Sequence, residues 1–103
     1  MQILIVCTGN TCRSPLAEVL LRHRLAAHPT LASSVVISAG TGAWGGTPAS
    51  EGSYLVALER GLDLSAHRAT PLTPELVRQA DFFLSMGRSH AAAVMALREH
   101  EKV

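Results

Sequence analysis

Apolar positions along this chain repeat with two different periods. Ile3, Leu4, Ile5 and Val6 form an uninterrupted run, too short for a helix and typical of a strand buried on both faces. VVISAG at 35–40 and ADFFLSM at 80–86 read the same way. Between them the spacing becomes helical. Pro15 to Ala27 carries Leu16, Leu20, Leu21 and Leu25 as a stripe, with Arg22, His23 and Arg24 toward solvent, and Pro29 beyond. Thr47 and Pro48 are expected to open a second helix bearing Tyr54, Leu55 and Leu58 and closing at Gly61. Thr73 and Pro74 open a short helix to about Gln79, and Ser89 to Arg98 forms the last. Strands alternating with helices predict an α/β fold, a three-layer α/β/α arrangement around a central parallel sheet. No linker or repeat divides the chain, so residues 1–103 are expected to form one domain. With the first strand central, ligands are expected at its C-terminal end.

Composition narrows the picture. A net charge of +1 on 103 residues, with only one lysine, gives no basic surface for nucleic acid or a membrane. MQILIVC lacks a basic leader and runs straight into polar residues, which fits neither a signal peptide nor a membrane span. Two cysteines five residues apart are not a secreted disulfide framework, so a cytoplasmic location is expected.

The candidate chemistry lies where the first strand becomes a helix, in CTGNTCRS at 7–14. Ser14 and Pro15 read as N-cap and first helical residue. The eight residues then form a tight turn whose backbone N–H groups converge, an anion cradle with a thiol in its floor. Each residue type has a reason to be there. Cysteine attacks phosphorus as thiolate, a form favoured by inward N–H groups and a helix N-terminus. Gly9 lets the backbone bend close to a ligand. Arg13 can fold over the cradle and match two phosphoryl oxygens with its planar fork. Ser14 can offer its hydroxyl to the Cys7 sulfur, and Asn10, the only asparagine in the chain, can brace the loop from within. A Walker-type phosphate loop is excluded, because no GK[ST] turn is present.

CTGNTCRSPLAE resembles the signature of the low-molecular-weight protein tyrosine phosphatases, a family that includes bacterial protein-arginine phosphatases. The likeness extends through VISAG at 36–40, the Trp44 loop, PAS at 48–50, LDLSAHRATPLT at 62–73 and ADFFLSM. It implies a two-step reaction through a phosphocysteine, with no metal and no cofactor, on a phosphorylated protein. Phosphate or another tetrahedral oxyanion would occupy the cradle. Cys7 would be the nucleophile and Arg13 the phosphate clamp. Thr8, Gly9, Asn10, Thr11, Cys12 and Ser14 would bind phosphate and organise the loop. His67 would hydrogen-bond the asparagine from behind, and Trp44 would wall the substrate cleft.

Thr11 separates the branches. Phosphotyrosine enzymes of the family usually have an aliphatic residue there, whereas the arginine phosphatases resemble this chain in TGNTCRS. Phosphoarginine is therefore favoured over phosphotyrosine. A tyrosine-specific phosphatase, an arsenate reductase and a non-catalytic phosphate-binding or redox module are the alternatives. Cys12 is close enough in sequence to form a reversible disulfide with Cys7.

The chain departs from the family in one respect. The resemblance places a general acid in an Asp-Pro segment after a further strand, and no Asp-Pro occurs in the 103 residues. Asp81, Glu18, Glu75, Asp63, Glu99 and Glu101 are among the other acids available, and none has a position in the sequence that assigns it the role. The last strand and helix of the family are also missing, and REHEKV has no closing element. The chain is thus expected to be the N-terminal part of a longer protein, with an open sheet edge available for self-association.

Overall fold

The computed structural model describes residues 1–101, with side chains through Arg98. In chain order the elements are β1 (Gln2–Cys7), α1 (Arg13–Ala26), β2 (Val35–Gly40), α2 (Glu51–Glu59), α3 (Pro74–Gln79), β3 (Phe82–Ser85) and α4 (Arg88–Glu101). The three strands are parallel in the order β2-β1-β3. β1 is therefore central, and its last residue, Cys7, pairs with Gly40 at the end of β2.

Strand alternation divides the core between the two faces. Leu4, Val6 and Ala39 meet Val77 of α3 and Val94 of α4 on one face. Ile3, Ile5 and Val36 meet Ala17, Leu21 and Leu25 of α1 on the other. A smaller cluster of Val19, Ala57 and Leu64 joins α1 to α2. The stripe expected on α1 is thus two stripes: Leu21 and Leu25 face the sheet, while Leu16 turns with Val19 toward α2. Phe82 and Leu84 lie beside Ile3 and Ile5 in register, yet they are 57% and 46% exposed, because α1 does not extend over β3.

Two helix starts differ from expectation. α1 begins at Arg13, not Pro15, and its cap is Cys12 with no side-chain hydrogen bond. Ser14 lies inside the first turn, buried, with its hydroxyl committed elsewhere. Pro15 is tolerated there because first-turn N–H groups need no intrahelical partner. α2 begins at Glu51 behind a Ser50 cap that accepts from the Ser53 N–H. Thr47 and Pro48 instead belong to an extended segment beside Arg68 and Ala69, where the Ala69 N–H donates to the Thr47 carbonyl at 2.7 Å.

The remaining boundaries follow local chemistry. α2 stops at Gly61, whose φ of +73° suits a residue without Cβ. Bonds from Gly61 N to Leu58 O and from Leu62 N to Ala57 O complete a Schellman motif. α3 is capped as its sequence suggests, by Thr73 with Pro74 at its start. No described helix is long and apolar enough to cross a membrane.

Leu4 is fully buried between β2, α3 and α4. Leu4→Ala is expected to destabilise the chain by about 2–5 kcal/mol, read from denaturant unfolding at constant m-value.

Candidate active site

The turn from Cys7 to Ser14 is shaped by where its carbonyls go. The Cys7 carbonyl accepts from Thr41 N at 2.9 Å and the Thr8 carbonyl from Gly42 N at 2.9 Å. The Asn10 carbonyl accepts from His67 Nε2 at 2.7 Å. The Thr11 carbonyl accepts from Ser50 N at 2.7 Å, and the Cys12 carbonyl from Ser53 Oγ at 2.8 Å. Five carbonyls are thus held by the segment after β2, the loop before α3 and the start of α2. A chain that turns its carbonyls outward must turn its N–H groups inward. The N–H groups of Thr8, Gly9, Thr11, Cys12 and Arg13 have no backbone carbonyl partner among the described residues. That set of free donors, at the N-terminus of a 14-residue helix, is suited to an oxyanion.

Asn10 makes the turn possible. Its φ of +56° is the only positive φ among described non-glycine residues, and asparagine accepts that left-handed geometry better than most. It is completely buried, and both its amide N–H donors and its carbonyl oxygen have partners. Oδ1 accepts from Thr70 N at 2.8 Å, which fixes the amide orientation. Nδ2 then donates to Ser14 Oγ at 2.8 Å and to Ser38 Oγ at 2.9 Å. Ser38 Oγ in turn donates to Glu18 Oε1 at 2.8 Å, and Glu18 is paired with Arg22.

Ser14 Oγ, already an acceptor from Asn10, lies 2.8 Å from Cys7 Sγ. Its hydroxyl proton is therefore available to the sulfur. The Asn10 N–H reaches the same sulfur at 3.3 Å. Negative charge on Sγ would meet two donors in a buried setting, where such contacts weigh more than in water. Cys7 is buried and Cys12 exposed, and both are free thiols.

The other expected residues fall around this centre. Arg13 opens α1, is exposed, and its guanidinium has no hydrogen-bond or ion-pair partner among the described residues. Thr11 is half-buried. Trp44 is 84% exposed in the segment that leaves Gly40 beside Cys7. His67 reaches the main chain of Asn10, not its side chain. His90 of α4, which no pattern in the sequence marked, lies 2.8 Å from Thr8 Oγ1 through Nε2.

The acids of the chain that could replace an Asp-Pro aspartate are occupied or remote. Glu18 holds Ser38 and Arg22. Asp81 binds Gln2 N at the far end of the sheet, and Glu75 accepts from Gln79. Asp63 is exposed, and the Ser65 backbone N–H, then its hydroxyl, hold the carboxyl below the usual range. It is ionised at neutral pH and is a poor proton donor. The Glu99 and Glu101 side chains lie outside the described residues. No group of three or more potential metal ligands occurs among the described residues. A cavity of about 340 Å³ is lined by Glu18, Arg22, Ser38, Asp63, His67 and Arg68, among others. None of residues 7–14 lines it, and three of its lining residues, Ser38, His67 and Thr70, hydrogen-bond Asn10.

Gly40 is the tightest point of the support. A Cβ there would lie 2.3 Å from the Thr8 carbonyl oxygen, 2.9 Å from Ala43 Cβ and 3.0 Å from Asn10 N. Two of these neighbours are backbone atoms of the cradle itself. Gly40→Ala is expected to cost about 3 kcal/mol of stability and to abolish phosphate protection of Cys7 against alkylation, whereas Gly52→Ala, with open space around it, should leave that protection intact.

Comparison with known proteins agrees with this geometry. The family described as low molecular weight phosphotyrosine protein phosphatase matches residues 2–103. A protein of Ralstonia solanacearum named "Probable low molecular weight protein-tyrosine-phosphatase EpsP" is 46% identical over 94 residues, covering 91% of this chain and 61% of that protein. The crystal structure of a low molecular weight protein tyrosine phosphatase from T. tengcongensis superposes with a TM-score of 0.85 at 40% identity, covering 93% of this chain and 65% of that one. The YwlE arginine phosphatase from Geobacillus stearothermophilus gives a TM-score of 0.84 at 36% identity, covering 98% and 62%. The chain thus spans about three fifths of the length of the relatives it matches.

Proposed function

Because this chain belongs to the low molecular weight phosphotyrosine protein phosphatase family, we propose that it removes phosphoryl groups from phosphorylated protein side chains through a phosphocysteine on Cys7. The observation that carries this reading is the position of Cys7 Sγ. It lies within reach of Ser14 Oγ and Asn10 N, on the floor of a turn five of whose carbonyls are held by outside segments.

In the first step the Cys7 thiolate attacks phosphorus, an S–P bond forms, and the bond to the leaving oxygen or nitrogen breaks. The leaving group takes a proton from solvent water as it departs. In the second step water attacks phosphorus, the S–P bond breaks, and orthophosphate is released as the thiolate returns. Throughout, the equatorial phosphoryl oxygens are held by the free N–H groups and by the Arg13 fork. Donors fixed before substrate arrives need no reorganisation during reaction. The Ser14 hydroxyl supports the thiolate as attacking group and again as leaving group.

Phosphoarginine is the favoured substrate, on the strength of Thr11 and of the likeness to an arginine phosphatase. Phosphotyrosine is the second reading, favoured by the names of relatives such as EpsP. Thr11 presents a hydroxyl and a methyl beside the incoming side chain, whereas an aliphatic residue would present only apolar surface to a phenol ring. Thr11→Ile should lower turnover of phosphoarginine relative to an aryl phosphate by roughly tenfold. Equal effects on both substrates would remove Thr11 from the choice.

The reading itself is tested by brief exposure to an activated aryl phosphate, an acid quench, and intact mass spectrometry. A single phosphoryl adduct mapping to Cys7 is expected. Cys7→Ser should show no cysteine adduct and lose more than about 10³-fold in turnover. Absence of any adduct on the unaltered, reduced chain would remove the enzymatic reading and leave a phosphate-binding module.

A further inference from the structure

α4 brings a second histidine to the cradle. His90, in the first turn of that helix, is only 5% exposed. Its Nε2 lies 2.8 Å from Thr8 Oγ1. Its Nδ1 is the one buried side-chain nitrogen or oxygen without a hydrogen-bond partner among the described residues. The ring packs on the turn at Gly87, where a Cβ would sit 3.5 Å from Nδ1 and 3.7 Å from Cε1.

These facts select a tautomer. A proton on Nδ1 would be a buried donor with nothing to receive it, the rarer and costlier kind of orphan; an unprotonated Nδ1 is an under-satisfied acceptor. The ring proton therefore belongs on Nε2, which donates to Thr8 Oγ1. The Thr8 hydroxyl then acts as acceptor toward His90 and keeps its own proton free. Thr8 is the residue after Cys7, it is exposed, and its carbonyl is fixed by Gly42 N. Side chain and main chain of the first cradle residue are thus both anchored, from opposite partners.

We infer that His90 is a positioning residue for the anion site: as its Nε2–H tautomer it holds Thr8 so that the free hydroxyl proton is donated to a bound phosphoryl oxygen. This rests on the phosphatase reading, because it takes the ligand to be a phosphoryl group or inorganic phosphate. Loss of the pair should weaken phosphate binding without altering the fold. A residue acting only as core filler would do the reverse.

The test uses the whole chain and two measurements. Nitrogen-15 NMR of histidine-labelled protein should show the His90 proton on Nε2 and an unprotonated Nδ1, with the Nε2–H signal shifting in Thr8→Val. In parallel, protection of Cys7 from iodoacetate by inorganic phosphate gives a dissociation constant without turnover. His90→Phe and Thr8→Val should each raise it about five- to tenfold. The double variant should be no worse than either single, and His90→Gln, which restores an N–H donor, should return it to within about twofold. Should His90→Phe fail to fold, Thr8→Val and His90→Gln carry the comparison. A proton on Nδ1, additive losses in the double variant, or unchanged phosphate affinity in Thr8→Val would overturn the inference. An unaltered chain showing no phosphate protection would overturn the phosphatase reading and this one with it. Protection by phosphate in the unaltered chain with insensitive variants would overturn this one alone.

Discussion

Everything at the site depends on five carbonyls facing outward. Backbone polar groups that are buried must be paired, so an inward-facing ring of N–H groups is stable only if the opposite ends of the same peptides find partners elsewhere. Here the five carbonyls find partners in three parts of the chain: Thr41 and Gly42 after β2, His67 before α3, Ser50 and Ser53 at the start of α2. The fold around the turn is in this sense a frame that holds the cradle open. Asn10 sits at the centre of the frame, with its φ of +56° and three hydrogen bonds from its amide. Its amide organises two hydroxyls that lead in opposite directions, Ser38 toward Glu18 and Ser14 toward Cys7.

This arrangement explains why the sheet matters to the chemistry. The central position of β1 places Cys7 between Gly40 on one side and the β3–α4 turn on the other. Gly40 must lack a side chain because the Thr8 carbonyl passes where a Cβ would be. The leucine, isoleucine and valine run that makes β1 buried on both faces is what keeps the turn at the sheet's C-terminal end rigid. Packing energy in Leu4, Ile5 and Val6 is thereby converted into fixed geometry at the sulfur.

Much of this was legible in the chain. β2 and α3 fall where VVISAG and Thr73-Pro74 place them, because a short apolar run and a capped proline are unambiguous local signals. The cradle was legible because cysteine, arginine, serine and proline at fixed spacing have few other uses at a strand-to-helix turn. What could not be read were features set by distant segments. Ser14 looks like an N-cap, but its hydroxyl goes to Cys7 and Asn10, and the helix starts two residues earlier than that cap implies. Thr47-Pro48 looks like a helix start, yet the segment pairs with Arg68 and Ala69 across the loop. His90 has no local signature at all. Its contact with Thr8 spans 82 residues and exists only because β3 delivers α4 beside the turn.

The central claim is that the cradle is an anion site built in advance from backbone N–H groups, and amide NMR during titration with inorganic phosphate tests it most directly. Saturable shifts of the Gly9, Thr11, Cys12 and Arg13 amides are expected, with Thr41, Gly42 and Ser50, which hold the carbonyls from outside, nearly unmoved. Shifts dominated by those outer amides, or no saturable response within residues 7–14, would contradict it.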